Sequence, residues 1–211
     1  MKRIVVIERE FAAGAGAIAG QVAQRLGWKL LDHALTAEIA QLAKVSPEAC
    51  QHREERVDPW LYRLAKVFWR GSHEGSVILP DADVIDADRL IHLTQQVLEQ
   101  AAAAGQCVIV GRAAAYFLRD RADTFCVFLY APRELRYRRV LARVKSEAEA
   151  RRLIDTVDQE RIAFIRHYYK ADWPTRHLYH AMLNTAAGEE ATVETILSLI
   201  EAANRREARP Q

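Results

Sequence analysis

The chain has 211 residues, about half of them apolar, and its 30 Lys and Arg against 28 Asp and Glu leave a formal charge of +2. That is enough apolar chain to bury a full core as one domain, with room for an inserted lobe. The near balance of charge leaves no electrostatic case for a nucleic acid polymer as partner.

Ile4-Val5-Val6-Ile7 is a β-branched apolar run that ends at Glu8 and predicts a first strand. A loop of small residues follows, and from Gly14 the apolar positions Ile18, Val22 and Leu26 recur at helical spacing. Strand, tight loop and helix N-terminus form an anion-binding arrangement, because backbone N–H groups converge and small side chains allow close approach. Gly27 suits a helix C-cap, and Trp28–Asp32 predicts a short second strand. Helices are then expected over Ala34–Lys44, after Ser46-Pro47-Glu48, and over Trp60–Trp69 behind Asp58-Pro59. Trp60, Tyr62 and Trp69 are expected to pack within this inserted lobe. Gly71–Asp83 reads as a loop, and a long helix is expected from Asp86 to Ala104.

Gln106–Arg112 and Thr124–Tyr130 are the next strands. Their apolarity is continuous, which implies burial on both faces and a parallel sheet covered by helices. Two charged helices are expected over Pro132–Lys145 and Ser146–Tyr169, a last strand around His177–Leu183, and a closing helix from Glu189 to Arg205. The tail beyond it is expected to be loose. Cys50, Cys107 and Cys126 show no CxxC spacing, and the latter two lie in apolar runs, as buried thiols in a reducing compartment do. No His and Cys constellation suggests a metal site. The apolar runs are of strand length and no signal pattern stands at the N-terminus, so a cytoplasmic protein without membrane attachment is expected.

Alternating strands and helices place the chain in the α/β class, with ligands at the carboxyl ends of the strands. The loop after Glu8, Asp32 after the second strand and Gly111-Arg112 after the third then share one sheet edge. The loop itself fits two motifs poorly. Against the phosphate-loop pattern GxxxxGK[ST], Arg9 stands at the first glycine, Ala15 at the lysine, and Gly16-Ala17 bring no hydroxyl. Gly14-Ala15-Gly16 with Gly20 approaches a dinucleotide turn, with Asp32 as ribose acceptor, which would make the protein an NAD(P)-binding oxidoreductase. Its position argues against it, because Gly14 comes six residues after Glu8, a separation of phosphate-loop length.

Nearly the whole chain resembles the cytidylate kinase-like family of P-loop nucleoside monophosphate kinases. The similarity runs from Ile7-Glu8-Arg9-Glu10-Phe11, like that family's I-S-R-E-F/Y, through Leu31-Asp32, Val108–Arg112, Val127–Pro132 and Asp158–Arg161. It continues to Asp172-Trp173 and Tyr179–Thr185. The resemblance implies a three-layer α/β fold on a five-stranded parallel sheet. It also implies a single domain over 1–211, with a helical monophosphate-binding lobe at 45–90 and a helical lid at 146–172. The implied activity is phosphoryl transfer from ATP with Mg²⁺ to a nucleoside monophosphate, CMP or dCMP foremost. Arg112 then matches the arginine on the acceptor monophosphate, and Asp32 an acidic residue on the substrate side. Arg136 and Arg139 match positively charged positions on the helix before the lid and Arg161 a lid arginine, the three expected to act in catalysis, and Ala12, Ala13, Gly14, Ala15 and Gly16 match the phosphate loop.

The loop departs from the family, which has Gly-Ser-Gly-Gly where this chain has Ala12-Ala13-Gly14-Ala15. An alanine costs about 1 kcal/mol or more where φ is positive and little elsewhere. Arg9 is a candidate for the missing loop charge. A protein that kept the fold for nucleotide binding or assembly and lost catalysis is the other reading of these departures. In either case small-molecule nucleotides are the expected ligands, and the amphipathic helices leave room for a homodimer.

Overall fold

The computed structural model describes residues 1–32, 87–144 and 146–208. Five parallel strands form one sheet in the order β2-β3-β1-β4-β5. They are β1 (Ile4–Arg9), β2 (Lys29–Leu31), β3 (Cys107–Val110), β4 (Thr124–Tyr130) and β5 (Ala181–Asn184). The helices are α1 (Ala15–Leu26), α2 (Ala87–Ala104), the one-turn α3 (Ala114–Phe117), α4 (Arg133–Leu141), α5 (Glu147–Tyr169) and α6 (Glu189–Glu207). β1 is central, paired with β3 from Ile4↔Cys107 to Ile7↔Val110 and with β4 from Ile4↔Thr124 to Arg9↔Leu129. Because β3 lies between β1 and β2, this is not the dinucleotide-binding order, in which β2 lies beside β1. The oxidoreductase reading fails on that point.

Side chains of β1 alternate between two cores, as the period of a strand requires. Val5 and Ile7 join Val108, Val110 and Val127 beneath α1 and α6. Ile4 and Val6 join Ile109, Cys126 and Phe128 beneath α2 and α5. A third, smaller cluster packs Phe11 and Ala12 of the loop against Val140 of α4 and Ala150, Ile154 and Val157 of α5. The span expected as a lid is therefore mostly one 23-residue helix whose apolar face is buried.

Several boundaries differ from the sequence pattern, three of them instructively. The strand expected at His177–Leu183 begins only at Ala181, and Arg176–Leu178 form a single 3-10 turn. The cause is His180: its N–H donates to Cys126 O at 2.8 Å while its Nδ1 accepts from Cys126 N at 3.0 Å, so an imidazole takes a backbone partner's place. The third strand stops at Val110 because Gly111, Arg112 and Ala113 are successively left-handed, at φ 67°, 62° and 51°. The helix expected through Lys145 ends at Leu141. Gly27 caps α1 as expected, in the left-handed conformation with φ 66°. The helices expected over Ala34–Lys44 and Trp60–Trp69, the cap at Ser46-Pro47, the Gly71–Asp83 loop and Cys50 lie outside the described residues. Among the described residues no helix is long and apolar enough to cross a membrane.

Candidate functional site

The loop from Glu10 to Gly14 is held by its carbonyls. Arg161 Nη1 donates to Arg9 O at 3.0 Å, Arg136 Nη1 to Phe11 O at 3.3 Å, and Arg139 Nη1 to Ala12 O at 3.2 Å. Thr185 Oγ1 donates to Ala13 O at 2.7 Å and accepts from Arg139 Nη1 at 3.2 Å. The first-turn N–H groups of α1 have no intrahelical acceptor, as at any helix N-terminus. Two left-handed residues shape the turn, Ala12 at φ 61° and Gly14 at φ 83°. Of the three alanines that replace the family's residues, Ala12 alone sits where glycine is the unstrained choice.

The arginines divide by what they touch. Arg136 pairs with Asp158 at 2.6 Å and Glu10 at 3.4 Å, and Arg161 pairs with Asp158 at 3.0 Å. Asp158 Oδ1 also accepts from Phe11 N at 2.8 Å, so one carboxylate ties α4, α5 and the loop together. Arg136 is thereby a clamp on the loop. Arg139 lies over the turn, with its Cζ and Nη1 3.3 Å from the position a Cβ on Gly14 would take. Arg9 is turned to the other side. Its Nη1 would be 1.8 Å from a Cβ on Gly111, a contact only glycine permits. The guanidinium at the Ala12–Gly14 turn is accordingly that of Arg139, whereas Arg9 belongs to the end of β3.

Glu8, Arg9, Arg112, Ala113, Arg161, Phe164, Ile165 and Trp173 line one cavity beyond the ends of β1 and β3. Arg112 is 2% exposed, and burial, followed by the neighbouring Arg9 charge, pushes its guanidinium down to about 10 while Asp32 and Glu8 act the other way. Asp32 is itself buried at the end of β2 and electrostatically coupled to Arg112. Of the expected site residues, the structure thus brings Arg9, Arg112 and Arg161 to one cavity with Asp32 nearby, and Arg139 to the loop. It assigns Arg136 to the clamp.

Four participants escaped the sequence reading as site residues: Glu8, Asp158, Thr185 and Trp173. The signal for Glu8 was available, since a charged residue replaces the serine of I-S-R-E within a buried strand. Asp158 belongs to the Asp158–Arg161 fragment of the family resemblance, but its role in holding the loop emerges only from its contacts with Arg136, Arg161 and Phe11 N.

A sequence model of the cytidylate kinase-like family matches residues 4–187. No curated protein matches the chain. Among solved structures, an uncharacterized protein from Eubacterium ventriosum superposes with TM-score 0.68 at 17% identity, covering 95% of this chain and 99% of that one. The shikimate kinase of Acinetobacter baumannii, solved with shikimate, gives TM-score 0.51 at 19% identity, covering 96% and 94%. The shikimate kinase of Bacteroides thetaiotaomicron gives 0.53 at 15%, covering 94% and 98%. At these identities the likeness concerns the fold.

Proposed function

The chain belongs to the cytidylate kinase-like family, and from that premise we propose that it transfers a phosphoryl group from ATP to a nucleoside monophosphate, with CMP or dCMP as the acceptor. The observation that carries this reading is the pairing of two cationic seats on one sheet edge. Arg139 stands over the Ala12–Gly14 turn, and Arg112 is buried at the end of the adjacent parallel strand. Phosphoryl transfer asks little covalent chemistry of a protein. It asks for alignment of donor and acceptor, exclusion of water and stabilisation of charge on the transferring group.

In this reading the ATP phosphates lie on the first-turn N–H groups of α1, and Arg139 supplies the positive charge that a loop lysine would bring. Arg112 holds the acceptor phosphate, assisted by Arg9 and Arg161 from the same cavity. Thr185 and Asp158 are positioning residues, since they act through Arg139, Arg161 and the loop carbonyls. Mg²⁺ is implied by the family. Among the described residues, however, no group of three or more His, Cys, Asp or Glu side chains is placed to hold an ion, and the loop brings no hydroxyl. In phosphoryl-transfer sites Mg²⁺ is held largely by the nucleotide phosphates and one or two protein oxygens, so the roles above are assigned to the arginines.

A coupled ADP-release assay with ATP, Mg²⁺ and a panel of nucleoside monophosphates tests the reading. Turnover with CMP or dCMP that falls at least about 100-fold in Arg112→Ala and in Arg139→Ala supports it, in line with the loss of one preorganised charge donor. Absence of turnover, together with a thermal shift from ATP, would replace it with the nucleotide-binding reading. Absence of both would leave an assembly role for the fold.

A further inference from the structure

Glu8 is the one feature of the cavity that a simple cationic acceptor seat does not need. Ile4–Ile7 ahead of it are apolar and fully buried, and Glu8 is itself only 4% exposed. Its carboxyl receives the N–H groups of Ala114 and Ala115 and lies in the field of Arg9 and Arg161. Burial nevertheless outweighs these and raises its affinity for a proton above the ordinary carboxylate value. Its Oε1 is buried and has no hydrogen-bond partner among the described residues. A buried acceptor left unsatisfied costs free energy unless a ligand or water completes it. The cavity that Glu8 helps to line measures about 20 Å³, which suffices for one oxygen-sized group.

Arginines alone would accept any small oxyanion, with preference for the higher charge. A carboxylate among them changes the choice. In its ionised form it repels a fully ionised oxygen and accepts a hydrogen bond from one that still bears a proton. We propose that Glu8, together with Arg9, Arg112 and Arg161, forms an anion seat that selects a protonated tetrahedral oxyanion. The arginines hold the charged oxygens at the mouth, and Glu8 Oε1 accepts the hydrogen bond of the one P–O–H group that enters the cavity. The ligand class is a phosphate, free or as a monoester, and the class rejected is sulfate, which has no proton to donate at neutral pH. The serine of the family's I-S-R-E pattern could not make this distinction, because a hydroxyl donates to either anion. The inference rests on the acceptor-side reading given above and sharpens it: the acceptor phosphate is bound in its singly protonated form.

The test is calorimetric binding to the full chain at neutral pH and matched ionic strength, with sodium phosphate and sodium sulfate as the probes. Wild type should bind phosphate about 10- to 100-fold more tightly than sulfate, as a charge-assisted hydrogen bond against a repulsion requires. Glu8→Gln should bring the ratio to about threefold or less, chiefly through a gain in sulfate affinity, because the carboxamide N–H can donate to it. Glu8→Ser should do the same, and it keeps the result readable if the glutamine variant folds poorly. Arg112→Ala should weaken both anions and preserve the ratio. A wild-type ratio near one, a preference that survives in both Glu8 variants, or no phosphate binding up to about 10 mM would overturn the proposal. Its failure is separable from that of the kinase reading. A chain that prefers phosphate over sulfate but turns over no nucleoside monophosphate keeps the seat and loses the activity.

Discussion

Replacing Gly111 with alanine perturbs both the backbone and the cavity, and the two effects can be separated. Gly111 has φ +67°, so any side chain there costs about 1–2 kcal/mol in backbone strain. A Cβ would also stand 1.8 Å from Arg9 Nη1 and 2.9 Å from Cζ, so the guanidinium has to leave. Arg9 is only 7% exposed, and displacing a buried charged group from its partners adds about 1.5–3 kcal/mol. The sum is about 2.5–5 kcal/mol, or a fall in Tm of roughly 5–20 °C for a chain of this size. Gly27 provides the control. Its φ is +66° with nothing within 4 Å of the added Cβ, so Gly27→Ala reports the backbone part alone, about 1–2 kcal/mol. Urea unfolding of both variants, of Arg9→Ala and of Gly111→Ala/Arg9→Ala completes the experiment. The double variant should be less destabilised than the sum of its singles by 1 kcal/mol or more, about the coupling expected for residues in contact. Gly111→Ala no worse than Gly27→Ala, or strictly additive singles, would refute the view that Arg9 is packed against Gly111.

Asp158→Asn removes the charge shared by Arg136 and Arg161, and it should cost about 2–4 kcal/mol in chemical denaturation, as breaking a largely buried ion pair does. Restoring the charge as glutamate should recover only part of this, because the Phe11 N–H bond depends on side-chain length. Thr185→Val deletes the hydroxyl between Ala13 O and Arg139 while keeping the shape. It should cost about 1–3 kcal/mol and raise KM for ATP more than for the acceptor, read from urea unfolding and from initial rates. Burial pushes the Cys107 thiol up to about 11 and the Cys126 thiol up to about 12. Both should resist iodoacetamide in the native chain at pH 8 and react at once in denaturant, with mass spectrometry locating the label.

Much of the architecture was written in local pattern. Uninterrupted apolar runs at Ile4–Ile7 and Thr124–Tyr130 announced strands covered on both faces, because only a sheet between helix layers has use for them. Gly27 announced the end of α1, since few residues but glycine take that conformation without cost. The shared sheet edge of the loop, Asp32 and Arg112 followed from topology in the same way. What local pattern could not supply was the direction of long charged side chains. Arg9, Arg112, Arg136, Arg139 and Arg161 are chemically identical in sequence, and each can reach several places. Tertiary contacts send Arg9 to Gly111, Arg136 to Asp158 and Arg139 to the loop. The same holds for the strand order, which depends on which strands meet across long connections and which rules out the dinucleotide turn. It holds most of all for Glu8. As a letter in the chain it marks the end of a strand. Placed in the fold it is a buried carboxyl group whose Oε1 has no hydrogen-bond partner among the described residues, lining a cavity with three arginines, a state defined by neighbours distant in sequence.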